Sequence, residues 1–150
     1  MWNESFFSAP QLKRDPLGGM ISDHVVFSSS RFPVQVGEDT ETNPGIYGRA
    51  LAEWVATRLD SHGVPVLGIR AEDFGRCIVI QSWPFKLWVA CASLDGTASR
   101  WQMFIALEQN PIWKLFTRVD PEPELRQLRE QFRTVISEIP DAKDIEWQAH

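Results

Sequence analysis

The spacing of apolar and polar positions changes several times along the chain, and each change marks an element. Tyr47, Ala50, Leu51, Trp54, Val55 and Leu59 recur at helical spacing. Asn43 suits the N-cap ahead of them, and Pro44 the first helical position, where its missing N–H costs nothing. Gly63 is a C-terminal stop. The pattern predicts a helix over 44–62 with an apolar stripe wide enough to lie against a sheet. A second helix is predicted in "DPEPELRQLREQFRTVISEI", 120–139. Asp120 can cap it, Pro121 can open it, and Glu122 and Glu124 suit its positive end. Its stripe is Leu125, Leu128, Phe132, Val135, Ile136 and Ile139, and Pro140 ends it.

Between and around the helices the period falls to two. "FKLWVACAS", 85–93, places Phe85, Leu87, Val89 and Cys91 on one face and Lys86, Trp88, Ala90 and Ala92 on the other. "RWQMFIALEQ", 100–109, alternates in the same way, with Trp101, Met103, Ile105 and Leu107 opposed to Gln102, Phe104, Ala106 and Glu108. "PVLGI" and the more continuous "RCIVIQSW" precede them as strands. "SWPF" and the Asp95-Gly96 turn connect an antiparallel meander. "HVVFSSSRFPVQV", 24–36, predicts one or two further strands, with Pro33 at an edge or bulge. "NPIWKLF", 110–116, predicts a short helix, and "KDIEWQ" a last strand with Ile145 and Trp147 pointing inward. Residues 1–23 show no period and carry Pro10, Pro16, Gly18 and Gly19, so they are expected to form an irregular arm. The fold expected for 24–150 is a single α+β domain: an antiparallel sheet of about five strands with two main helices packed on one face.

Composition narrows the function. The 150 residues carry a net charge of −5 and no clustered Lys/Arg stripe, which argues against nucleic acid as a partner. No stretch approaches the ~20 apolar residues of a membrane helix, so no membrane association is expected. The N-terminus lacks a basic start followed by an apolar run, and the cytoplasm is the expected compartment. Cys77 and Cys91 both lie in apolar runs, where free cysteine behaves as a small hydrophobe.

Candidate chemistry is sparse. Asp73-Phe74-Gly75 matches a kinase magnesium motif in letters alone. The Gly-rich loop, strand lysine and catalytic-loop aspartate that must accompany it are missing. Between two strands these residues suit a turn. His24, His62 and His150 stand in no metal-ligand spacing, so neither a metal nor another cofactor is expected. No nucleophile motif is present, and the acidic loop with Glu38, Asp39 and Glu41 suits a solvated charge run. Aromatic residues remain. Trp83 sits in a turn, and Trp88 and Phe104 fall on the more polar faces of their strands. If the helices cover the Leu87/Met103 face alone, these two rings stand on an open face beside acidic groups, as a docking surface needs. If the arm or the first strand covers them, they are core. The candidate binding residues are Glu72, Asp73, Trp83, Trp88 and Phe104.

"ETNPGIYGRALAEWVATRL", then "EDFG" entering a strand, then "FKLWVACAS" resembles a group of small uncharacterised bacterial proteins over roughly residues 38–93. The wider shape and charge are similar to the acidic α+β immunity proteins that neutralise bacterial toxins, a likeness of architecture alone. The expectation is a non-enzymatic bacterial protein that binds another, basic protein through its open sheet face and acidic loops, as an immunity-type antagonist does. The alternative is a small-ligand-binding protein or enzyme whose pocket, between the sheet and the first helix, is lined by Tyr47, Trp54 and Trp88. A homodimer with its open sheet faces packed together is a third arrangement.

Overall fold

Strict alternation in residues 85–108 builds the centre of a six-stranded antiparallel sheet. The structure, a computed structural model, describes residues 20–109 and 119–148. Its elements run β1 (Met20–Ser28), a 3-10 turn (Glu38–Thr40), α1 (Arg49–Ser61), β2 (Gly68–Glu72), β3 (Gly75–Gln81), β4 (Lys86–Ser93), β5 (Arg100–Glu108), α2 (Glu122–Ser137) and β6 (Lys143–Trp147). The strand order is β2-β3-β4-β5-β1-β6, and every neighbouring pair is antiparallel. The meander of β2 to β5 is as expected. Among the described residues the sheet has six strands rather than about five, because β1 inserts between β5 and β6 and gives the C-terminal segment an edge to pair with. Of the arm expected over 1–23, residues 1–19 lie outside the described residues, as does the helix expected over 110–116.

Two elements differ from the pattern in their bounds. β1 begins at Met20, so Met20–Asp23 are strand, with Ile21 opposite Ala106. It ends at Ser28, and residues 29–36 form no strand. α1 begins at Arg49, well after Asn43-Pro44. The intervening residues are held by the sheet instead: the N–H of Asn43 donates to the Asp73 carbonyl at 2.8 Å, and the N–H of Ser93 to the Tyr47 carbonyl at 2.9 Å. The second helix follows its pattern more closely. Asp120 Oδ1 accepts the N–H of Glu122 at 3.0 Å, and all six stripe residues are buried.

The main core joins residues from both helices to the sheet. Leu51, Val55 and Leu59 of α1 and Leu128, Phe132 and Val135 of α2 share one cluster with Phe27, Ile78, Leu87, Val89, Met103 and Ile105. Trp101 belongs to it and donates its indole N–H to the Ser29 carbonyl at 3.1 Å, so burial leaves no polar atom of that ring stranded.

A polar clamp fastens α2 to β1. The pairing of β1 with β5 shifts register between Ser22 and Val25, and Asp23 there takes φ 53°. Its buried carboxylate accepts Arg129 Nε at 2.8 Å and Arg133 Nε at 2.9 Å. The Arg133 guanidinium also lies 4.1 Å from the Trp147 ring centroid, which ties in β6. Asp23→Ala is expected to cost about 2 kcal/mol, the scale of lost charge-assisted hydrogen bonds whose half-exposed arginines can rehydrate. Asp23→Asn tolerates the positive φ and keeps an acceptor, so its urea midpoint should fall between the other two.

Candidate functional site

The loop at Asn43-Pro44 and the turn at Asp73-Phe74-Gly75 meet in space. Asp73 and Phe74 form the two-residue turn between β2 and β3, with Glu72 paired to Gly75. Gly75 has φ 151°, and a Cβ there would stand 2.9 Å from Ala92 Cβ and closer still to the Cys91 carbonyl oxygen. Only glycine lets the hairpin approach β4 this closely. The Asp73 carbonyl takes the Asn43 N–H, and Phe74 packs on Trp88 with ring centroids 5.9 Å apart. The Asp-Phe-Gly tripeptide is thus a turn, a ring seated on the sheet and a point of close backbone approach.

The acidic loop departs from a solvated charge run at one residue. Glu38 is 1% exposed. Its Oε1 accepts the N–H groups of Gly48 at 2.9 Å and Arg49 at 3.1 Å, and its Oε2 that of Gln35 at 2.7 Å. A carboxylate ten residues upstream therefore caps α1 and satisfies its positive end. Buried Arg76 on β3 braces the same loop: Nη2 donates to the Glu38 carbonyl at 2.8 Å, and Nη1 lies 3.4 Å from Glu41 Oε1. Asp39 Oδ2 accepts the Gly45 N–H at 3.1 Å, and Ser93 Oγ accepts that of Tyr47 at 2.9 Å. These polar groups shape the loop. Sequence reading missed Glu38 because a cap so far ahead of its helix follows no local spacing.

Trp88 and Phe104 are not on an open face. They are 1% and 2% exposed and form a second cluster with Ile21, Cys77, Ala90 and Ala106, against which Phe74 packs. The register explains the grouping. Trp88 lies opposite Ala106, and Ala90 opposite Phe104, so each large ring has a small neighbour across the strand gap. The rings lie 6.2 Å apart between centroids, and His24 meets the Phe104 ring edge-on at 5.6 Å. Covered within the chain, neither ring is available for docking. Nor can Trp88 share a pocket with Tyr47 and Trp54, because those two pack against the main core on the opposite sheet face. Trp54 instead meets Phe32 edge-on at 5.9 Å beneath the Arg58 guanidinium.

The other three candidate residues lie at the surface. Asp73 is exposed, Glu72 partly exposed, and Trp83 52% exposed. They do not form one compact spot. Glu72 and Asp73 end β2, whereas Trp83 follows the far end of β3, beside the start of β2. Between them runs the outer edge of β2, roughly 14 Å long at ~3.4 Å per residue. Two apolar residues on it are exposed as well, Leu67 at 64% and Ile69 at 38%. "PVLGI" gave a strand in the sequence, but only the sheet order makes that strand an edge.

Among the described residues both thiols are buried and His62 is paired. Cys77 and Cys91 are buried free thiols, and burial pushes the pKa of both upward, away from a reactive thiolate. They belong to the two different clusters, on opposite faces of the sheet, so they cannot join in a disulfide. His62, just past α1, bonds the Glu138 carboxylate at 3.0 Å and links the ends of the two helices. Among the described residues no group of three His, Cys, Asp or Glu could hold a metal ion, and no helix is long and apolar enough to cross a membrane. No protein-family model matches the chain, and no curated protein or solved structure matches it either.

Proposed function

We propose that this protein is a binding module that docks another protein chain along the outer edge of β2, with both helices held on the single sheet face that carries the main core. The observation that carries the reading is the exposure of Leu67, Ile69 and Trp83 along and beside a terminal strand. An edge strand presents unpaired backbone N–H and C=O groups, and an added strand satisfies them while apolar neighbours supply contact area. Glu72 and Asp73 set a negative charge at one end of the edge. With Arg70 beside them they would steer a strand of complementary charge pattern and raise its association rate more than its affinity. The buried, pKa-raised thiols and the separation of Trp88 from Tyr47 and Trp54 favour binding over catalysis.

Leu67→Asp tests this directly. Leu67 belongs to neither core cluster, so thermal unfolding should move by no more than about 0.5 kcal/mol. Capture of a stoichiometric protein by the tagged chain should fall roughly tenfold or more, as for loss of an apolar interface anchor. Equal capture by the variant and the wild type would remove the β2 edge from consideration.

A further inference from the structure

We infer that the occupant of this edge is a second copy of the chain, its β2 strand pairing antiparallel with the first across a two-fold axis at Ala71. The inference rests on the docking reading above and names the partner. It starts from charge. Arg70 stands opposite Cys77 and Glu72 opposite Gly75 in the β2–β3 ladder, so both side chains point to the Cys77 face, with Ala71 between them on the other. Among the described residues neither makes a hydrogen bond or an ion pair. A strand with opposite charges two residues apart on one face complements its own two-fold copy. With the axis at Ala71, each Arg70 faces the Glu72 of the other strand, and the interface holds two such pairs. With the axis at Arg70, two guanidinium groups would collide. With the axis at Ile69, Arg70 would face glycine and Glu72 would face Val66.

The other end of the sheet is guarded. β6 meets β1 with a register shift between Val26 and Ser28, and its Asp144 takes φ 50°. Arg100 reaches across to Glu146 at 3.5 Å and to the Asp144 carbonyl at 3.1 Å. Irregular, charge-laced edges of this kind resist strand addition. β2 pairs with β3 in unbroken register from Gly68 to Glu72, and among the described residues no bulge interrupts it. Two-fold pairing there extends the sheet into the neighbouring copy and carries Leu67 towards the partner's β2–β3 turn.

The experiment is sedimentation equilibrium of the full chain across a concentration series at roughly 0.15 M salt. The wild type is expected to reach the mass of a dimer. Arg70→Glu and Glu72→Arg each set like charges face to face and should raise the dimer dissociation constant by roughly tenfold or more. The double variant R70E/E72R exchanges the charges and should restore wild-type dimerisation. Thermal melts confirm that all variants are folded. A wild type that stays monomeric overturns the inference, as does a dimer indifferent to both single changes, or a double variant that fails to recover. A monomer that still captures a foreign protein through Leu67 would leave the β2 edge as a binding surface and overturn self-pairing alone.

Discussion

Gly75→Ala is expected to destabilise the domain by roughly 3 kcal/mol or more, lowering the melting temperature by about 6–12 °C for a chain of this size. Two effects add. The backbone at φ 151° is one that side chains rarely adopt. The new methyl would also meet the Cys91 carbonyl and the Ala92 side chain, and both belong to β4 in the middle of the sheet. Neither atom is the loose end of a flexible side chain, so the hairpin must move away from β4. That motion would lift Phe74 off Trp88 and disturb the Asn43–Asp73 bond that anchors the loop ahead of α1. Two controls separate the terms. Gly63→Ala at φ 85° meets nothing within 4 Å and should cost only the backbone term, about 1 kcal/mol. Gly68→Ala has neither problem and should stay within about 1 kcal/mol of wild type. A Gly75→Ala protein that melts like Gly63→Ala would mean the hairpin does not sit this close to β4.

Glu38→Ala should lose roughly 4 kcal/mol. One buried carboxylate accepts three backbone N–H groups, and truncation strands all three, at about 1–3 kcal/mol for each buried donor less what water recovers. The loss of the α1 cap is part of the same sum. Glu38→Gln keeps one acceptor oxygen but turns an amide NH2 towards a donor, so its loss should be intermediate. Glu53→Ala is the matched control: that carboxylate is exposed on α1 and accepts one side-chain bond from Gln35 at 2.9 Å. Urea midpoints give the stabilities. Amide exchange gives the location, with Gly48 and Arg49 expected to exchange faster in both Glu38 variants. If Glu38→Ala and Glu53→Ala unfold at the same midpoint, the acidic loop is the solvated charge run that its composition suggests.

Local pattern determined much of this protein. The α2 stripe from Leu125 to Ile139, the alternation in β4 and β5, the turn at Asp73 and the burial of both cysteines were legible because each depends on spacing within a few residues. Elements whose ends depend on distant partners were not. Asn43-Pro44 is a sound helix start by local chemistry, yet the sheet claims Asn43 through Asp73, and the cap of α1 passes to Glu38. Trp88 and Phe104 illustrate the same limit. Alternation correctly assigned them to one face, but whether that face meets water depends on what else the chain brings to it, and the structure buries both. Strand order had the same effect on "PVLGI": its sequence shows a strand, and only the placement of β1 between β5 and β6 leaves β2 at the edge with Leu67, Ile69 and Arg70 exposed. Short-range spacing settled where most helices, strands and turns lie, though not where each begins and ends. Burial, capping across the chain and the choice of exposed edge were settled by tertiary contact, because each is a relation between residues far apart in the sequence.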